Sequence, residues 1–189
     1  MPHFVNIDGM HESLFLLQQL RVASQQYCEK HSILRGESEE SAIGWDYYAG
    51  MLKSSVCDHL IQISIKLRIL QDIVREVDHS HIEDGFSIER VDEDARDGLI
   101  IGQDASGSGL SVREACNKIL HATETTLEWS ESSDPPYEYW TGRVKLQGRY
   151  RKEEWTINMD VEAFSLAAFR YLRDIEDQVD LPRLYKHDE

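Results

Sequence analysis

Little in this chain could staple or anchor it. Its three cysteines, Cys28, Cys57 and Cys116, are odd in number and show no Cys-x-x-Cys spacing, which argues against a disulfide framework and against zinc. Each falls within a helical apolar pattern, so buried free thiols in a reducing compartment are expected. The opening Met-Pro-His-Phe-Val-Asn-Ile-Asp lacks a basic segment followed by an apolar run, the mark of a secretory signal. No apolar stretch approaches the roughly 20 residues of a membrane span, and the cytoplasm is the expected location. Also missing are a P-loop, a Gly-rich dinucleotide fingerprint, a Gly-x-Ser-x-Gly elbow and a His-Glu-x-x-His pair. Neither a metal nor a cofactor is expected.

What the chain has in excess is acid. Its net charge is −15, from 35 acidic and 20 basic residues. Such a balance repels nucleic acid and anionic membranes at long range, so any nucleic-acid contact needs a local basic patch. At 189 residues the chain suits one domain and can bury roughly 70% of its unfolded surface without staples.

Apolar periodicity gives a mainly helical reading. A first helix is expected over His11 to Lys30, with Leu14, Leu17, Val22 and Cys28 on its apolar face. The acidic run from Glu37 to Glu40 suits the start of a second helix, since acid complements the positive end of the helix dipole. That helix carries Trp45, Tyr48, Leu52, Val56, Leu60, Ile63, Leu67, Leu70 and Val74 at steps of three or four. Continuous to Val77, it would be about 50 Å long, more than its own core needs, and a homodimer is expected. From Asp78 to Gly109 the pattern fails, and residues 78–110 read as a long surface connection. A third helix starts at Ser111, with Glu114 three residues on, the capping-box pattern, and is expected to run through Leu127. Alternation between Tyr139 and Asp160 predicts a β-hairpin over 138–160. A closing helix runs from Val161 to Val179. The expected architecture is a single domain, an antiparallel helical bundle with the hairpin inserted before the last helix.

The third helix is the richest in chemistry. Val112, Ala115, Cys116, Ile119 and Thr123 fall on one side of a helical wheel, while Arg113, Asn117 and His121 step by four along a flanking stripe with Glu124 beneath. Histidine exchanges a proton near neutrality, arginine grips phosphate bidentately, and asparagine orients an imidazole or binds a ribose hydroxyl. The plainer reading is a solvated flank ending in a boundary histidine.

The segment from Val112 to Ala122 resembles the signature helix of HEPN domains (higher eukaryotes and prokaryotes nucleotide-binding). Asn117 and His121 match the family's polar residue and histidine. Arg113 stands one turn before the family's arginine, whose place Cys116 takes; Lys118 offers an alternative cation. The resemblance spans this helix and the long one before it, about half the chain. It implies an all-helical homodimer and a metal-independent ribonuclease or RNA-binding component of a prokaryotic defence or toxin system, with an antitoxin or defence protein as partner. In that role His121 is the acid or base, Arg113 the phosphate clamp and Asn117 the orienting group. The products would be a 5′-hydroxyl and a 2′,3′-cyclic phosphate. The displaced arginine and the acidity favour an alternative, a non-catalytic dimeric module that binds protein or nucleotide.

Two further clusters complete the reading. Arg143, Lys145, Arg149, Arg151 and Lys152 interleave with Trp140, Tyr150 and Trp155, a pattern that suits single-stranded nucleic acid. The bland explanation, favoured by the overall charge, is that these cations guard an exposed hairpin edge. His79 and His81 beside Asp78, Glu83 and Asp84 lack a frame that would fix a metal, and Asp58-His59 reads as a structural pair at a core edge or dimer seam.

Overall fold

A computed structural model describes residues 5–36, 44–76, 85–103, 107 and 109–181. The expectations placed on Glu37 to Glu40, and on Asp78, His79, His81, Glu83 and Asp84, lie outside the described residues. Within them the chain is mainly helical, with five helices and one three-stranded antiparallel sheet. No helix among the described residues is long and apolar enough to cross a membrane.

Helix α1 (Ile7–His31) starts where the Asn6 side chain accepts from the Gly9 amide and ends at Ser32 in the left-handed region. Helix α2 (Trp45–Glu76) is unbroken over 32 residues, about 48 Å at 1.5 Å per residue. Its predicted apolar positions from Leu52 to Val74 are buried. Tyr27 of α1 stacks on Tyr48 of α2, so the end of one helix meets the start of the next. Helix α5 (Val161–Gln178), capped by the Asp160 carboxylate, runs back along α1, with Glu162 paired to Arg21 and Glu176 to His11.

Three expectations need correction. The supposed connection over 78–110 contains helix α3 (Ile88–Ala95), capped by Ser87, with Ile88, Val91, Asp92 and Ala95 buried on one face. The third helix, α4 (Val112–Leu120), stops seven residues before Leu127. Residues Ala122–Ser133 instead form strand β1, because Thr123, Thr125 and Thr126 suit a pleated strand better than another helical turn. The hairpin over 138–160 is therefore part of a larger sheet. Strand β1 pairs with β2 (Pro136–Tyr150), which pairs with β3 (Glu153–Asp160), in the order β1-β2-β3. The Ser-Glu-Ser-Ser-Asp-Pro-Pro run turns one strand into the next at Asp134-Pro135.

One face of the sheet covers the helices. Trp140, Val144, Leu146, Ile157 and Met159 join the apolar cluster that also holds α1, α2, α4 and α5 side chains. The far end of the β1–β2 ribbon closes a second cluster of Cys28, Ile33, Trp45 and Tyr137. Cys28 and Cys116 are buried and free, and Cys57 is half-buried and free.

Candidate functional site

Helix α4 is held at its start by two carboxylates. Ser111 and Glu114 complete the capping box, with the Ser111 amide donating to Glu114 Oε2 at 2.9 Å. Asp92, only 8% exposed, accepts from the Val112 amide at 2.8 Å through Oδ1 and from Arg96 Nε at 2.8 Å through Oδ2. The positive end of α4 is thus occupied from within the protein. Val112, Ala115, Cys116 and Ile119 are buried as the wheel predicts. Burial pushes the Cys116 thiol up to about 12, which makes it a packing group rather than a nucleophile.

The polar stripe survives for two turns and then divides. Arg113 donates through Nη2 to Asp72 Oδ1 at 2.9 Å and through Nη1 to Gln71 Oε1 at 3.3 Å. It lines a cavity of about 400 Å3 with Arg75, Asp92, Arg96 and Tyr171. The cations there are committed: Arg75 pairs with Glu89 and Arg96 with Asp92. Tyr171 lies at the floor beside Gln71, its phenol pushed up by burial.

His121 faces elsewhere. It is the C-cap of α4, its amide donating to the Asn117 carbonyl at 3.0 Å, and it is exposed. It lines a groove of about 430 Å3 with Glu114, Asn117, Lys118, Arg149, Tyr150 and Trp155. Asn117 and Glu114 border both cavities. Arg113 and His121 are therefore not brought to one pocket within the chain. Glu124, placed on the same stripe by the helical reading, sits exposed on β1 opposite Gln147 and leaves the site. Lys118 and Arg149 line the groove, whereas Arg151 and Lys152 form the adjoining β2–β3 turn.

Two aromatic residues of the basic and aromatic cluster read from the sequence, Tyr150 and Trp155, shape this groove. The Lys118 ammonium lies 4.3 Å above the Trp155 ring, a cation–π contact. Trp155 is register partner of Gly148, and a Cβ on Gly148 would come within 2.2 Å of the indole and 2.8 Å of the His121 carbonyl. The indole is thus a wall seated on glycine, and Lys118 rests on it. Tyr150, 66% exposed, offers the open ring. A glycine inside a strand marks close approach, so Gly148 was a signal present in the sequence. Among the described residues, no three His, Cys, Asp or Glu side chains gather as a metal site.

Comparison with protein-family models, curated proteins and solved structures gives no match for this chain.

Proposed function

We propose that this chain binds RNA through the groove between the end of α4 and the β2–β3 turn. One observation carries the reading. Lys118, His121 and Arg149 line a single groove with the exposed ring of Tyr150, on a chain whose net charge is −15. Cations hold phosphates and an open aromatic ring stacks on an unpaired base, the combination used by single-strand binders. The resemblance of α4 to the HEPN signature helix supports the same ligand.

The reading includes an antiparallel bundle of α1, α2, α4 and α5 as a single domain, and a homodimer. Tyr47, Met51, Ile61 and Ile65 are large apolar side chains exposed along α2; a second copy covering them would remove that surface from water. Titration of a labelled single-stranded RNA octamer tests the ligand. Wild type binds, and Lys118→Ala and Tyr150→Ala weaken binding several-fold. Equal affinity in all three, or no binding by wild type, overturns the reading.

Cleavage is a second reading, favoured by one fact: the exposed imidazole of His121 shares the groove with Lys118. In it His121 moves the proton and Lys118, rather than Arg113, offsets phosphate charge. Cleavage that persists in EDTA and is lost in His121→Ala supports it. Intact RNA in the presence of verified folded dimer leaves binding alone.

A further inference from the structure

We infer that the outward face of β2 is a phosphate track that extends the groove, so that the ligand is a single strand several nucleotides long rather than a mononucleotide. This rests on the RNA-binding reading of the groove.

From Tyr139 to Lys152 the chain carries five cations and no acid. On β2 the period of two buries Trp140, Val144, Leu146 and Gly148 while Arg143, Lys145 and Arg149 stay exposed. These three share one face of the strand. From Arg143 to Arg149 the strand covers about 20 Å at roughly 3.3 Å per residue.

Edge protection does not account for them. The sheet order makes β2 the central strand, and Lys145 is paired to Thr126 on one side and Asn158 on the other, so the middle of the strand offers no open edge to guard. Cross-strand pairing does not account for them either. Lys145 lies between Thr126 and Asn158, both uncharged. Arg143 and Arg149 have Asp160 and Glu154 as register partners, yet the ion pairs formed among the described residues include neither. Elsewhere Arg21, Arg35, Arg68, Arg75, Arg90, Arg96 and Arg113 all pair with acids, and Arg170 donates to the Asp97 carbonyl.

The turn points the same way. Arg151 sits at φ 57°, in the left-handed region that favours glycine, and its guanidinium lies 5.4 Å from the Tyr150 ring centre. A cation therefore occupies a position where glycine would be less strained, beside the groove's open ring. Together the turn and the track give a line of cations leading out of the groove, bordered by the exposed acids Glu124 and Glu128 of β1 and Glu154 of β3. The cations suit a flexible anionic strand whose unpaired base stacks on Tyr150. A rigid duplex presents no such free base.

The test measures how affinity depends on salt. Removing one cation that neutralises a phosphate of a single strand lowers the slope of log K against log salt by about 0.7. With full-length protein and a single-stranded RNA octamer, Arg143→Gln/Lys145→Gln lowers that slope by about 1.4, while affinity for adenosine monophosphate stays at the wild-type value. Lys145→Glu alone, a surface change, weakens the octamer further without altering the mononucleotide. An unchanged slope in a double variant that still binds the octamer overturns the track and leaves the groove standing. Duplex RNA bound as tightly as the single strand overturns the choice of ligand. Failure of wild type to bind either octamer or mononucleotide overturns the groove, and the track with it.

Discussion

Replacing Gly148 by alanine tests how the groove wall is built. The new Cβ would lie 2.2 Å from Trp155 Cζ2, 2.6 Å from Cε2 and 2.8 Å from the His121 carbonyl oxygen. Carbon atoms settle at about 3.5–4.0 Å, so the indole has to retreat by more than 1 Å. It has little room, because the Lys118 ammonium stands 4.3 Å from its ring centre. Overpacking of this kind costs about 1–3 kcal/mol. For a chain of this length that is a fall of roughly 2–12 °C in Tm, read by circular dichroism. Moving the ring also removes the support of Lys118, so RNA affinity falls with stability. The double variant Gly148→Ala/Trp155→Leu, which shrinks the obstructing side chain, melts higher than Gly148→Ala alone. A Gly148→Ala protein that melts within a degree of wild type would refute the steric argument.

Four other outcomes follow from the same geometry. Trp155→Leu weakens octamer binding without adding to the loss in Lys118→Ala, because the indole acts by holding the ammonium; additive losses in a double-mutant cycle would contradict this. Asp92→Asn places a donor against the Val112 amide or Arg96 and costs about 2–3 kcal/mol, seen as a lower denaturant midpoint; an unchanged midpoint would remove Asp92 from the capping role. The raised thiol of Cys116 keeps its proton in the folded state, so this stabilisation is full below the unfolded thiol value of about 8.5 and is lost as pH climbs toward about 12. Stability should fall above that lower limit and fall less steeply in Cys116→Ala; parallel pH curves would contradict it. Arg151→Gly relieves the left-handed strain and gains about 0.5–1 kcal/mol while weakening RNA binding; a loss of stability would show that the arginine is structurally required.

The long elements were legible because their physics is local and repeated. Leu52 to Val74 in α2 and Phe164 to Ile175 in α5 recur at helical spacing over many turns, and the structure buries them. The third helix failed at a change of period. Thr125, Leu127 and Trp129 alternate with exposed Glu124, Thr126 and Glu128 on β1, but the helical wheel continued past His121 absorbed them. Helix α3 carried a readable pattern in Ile88, Val91, Asp92 and Ala95. Its density of acid disguised it, and the burial of Asp92 depends on Arg96 and on the start of α4, a contact 20 residues away. The site was half legible. Asn117 and His121, two of the three stripe residues, line one groove with Lys118, and Arg149 and Tyr150 join them only because β2 folds back over α4. Arg113 was drawn away by Asp72 and Gln71 of α2, partners that sequence spacing does not reveal.

Nuclear magnetic resonance mapping with a single-stranded octamer shows whether RNA lies in the groove at the end of α4. Shift changes are expected at Asn117, Lys118, His121 and the Trp155 indole, continuing along β2 to Lys145. Changes confined to the cavity around Arg75, Arg113 and Tyr171, or none at saturating RNA, would contradict it.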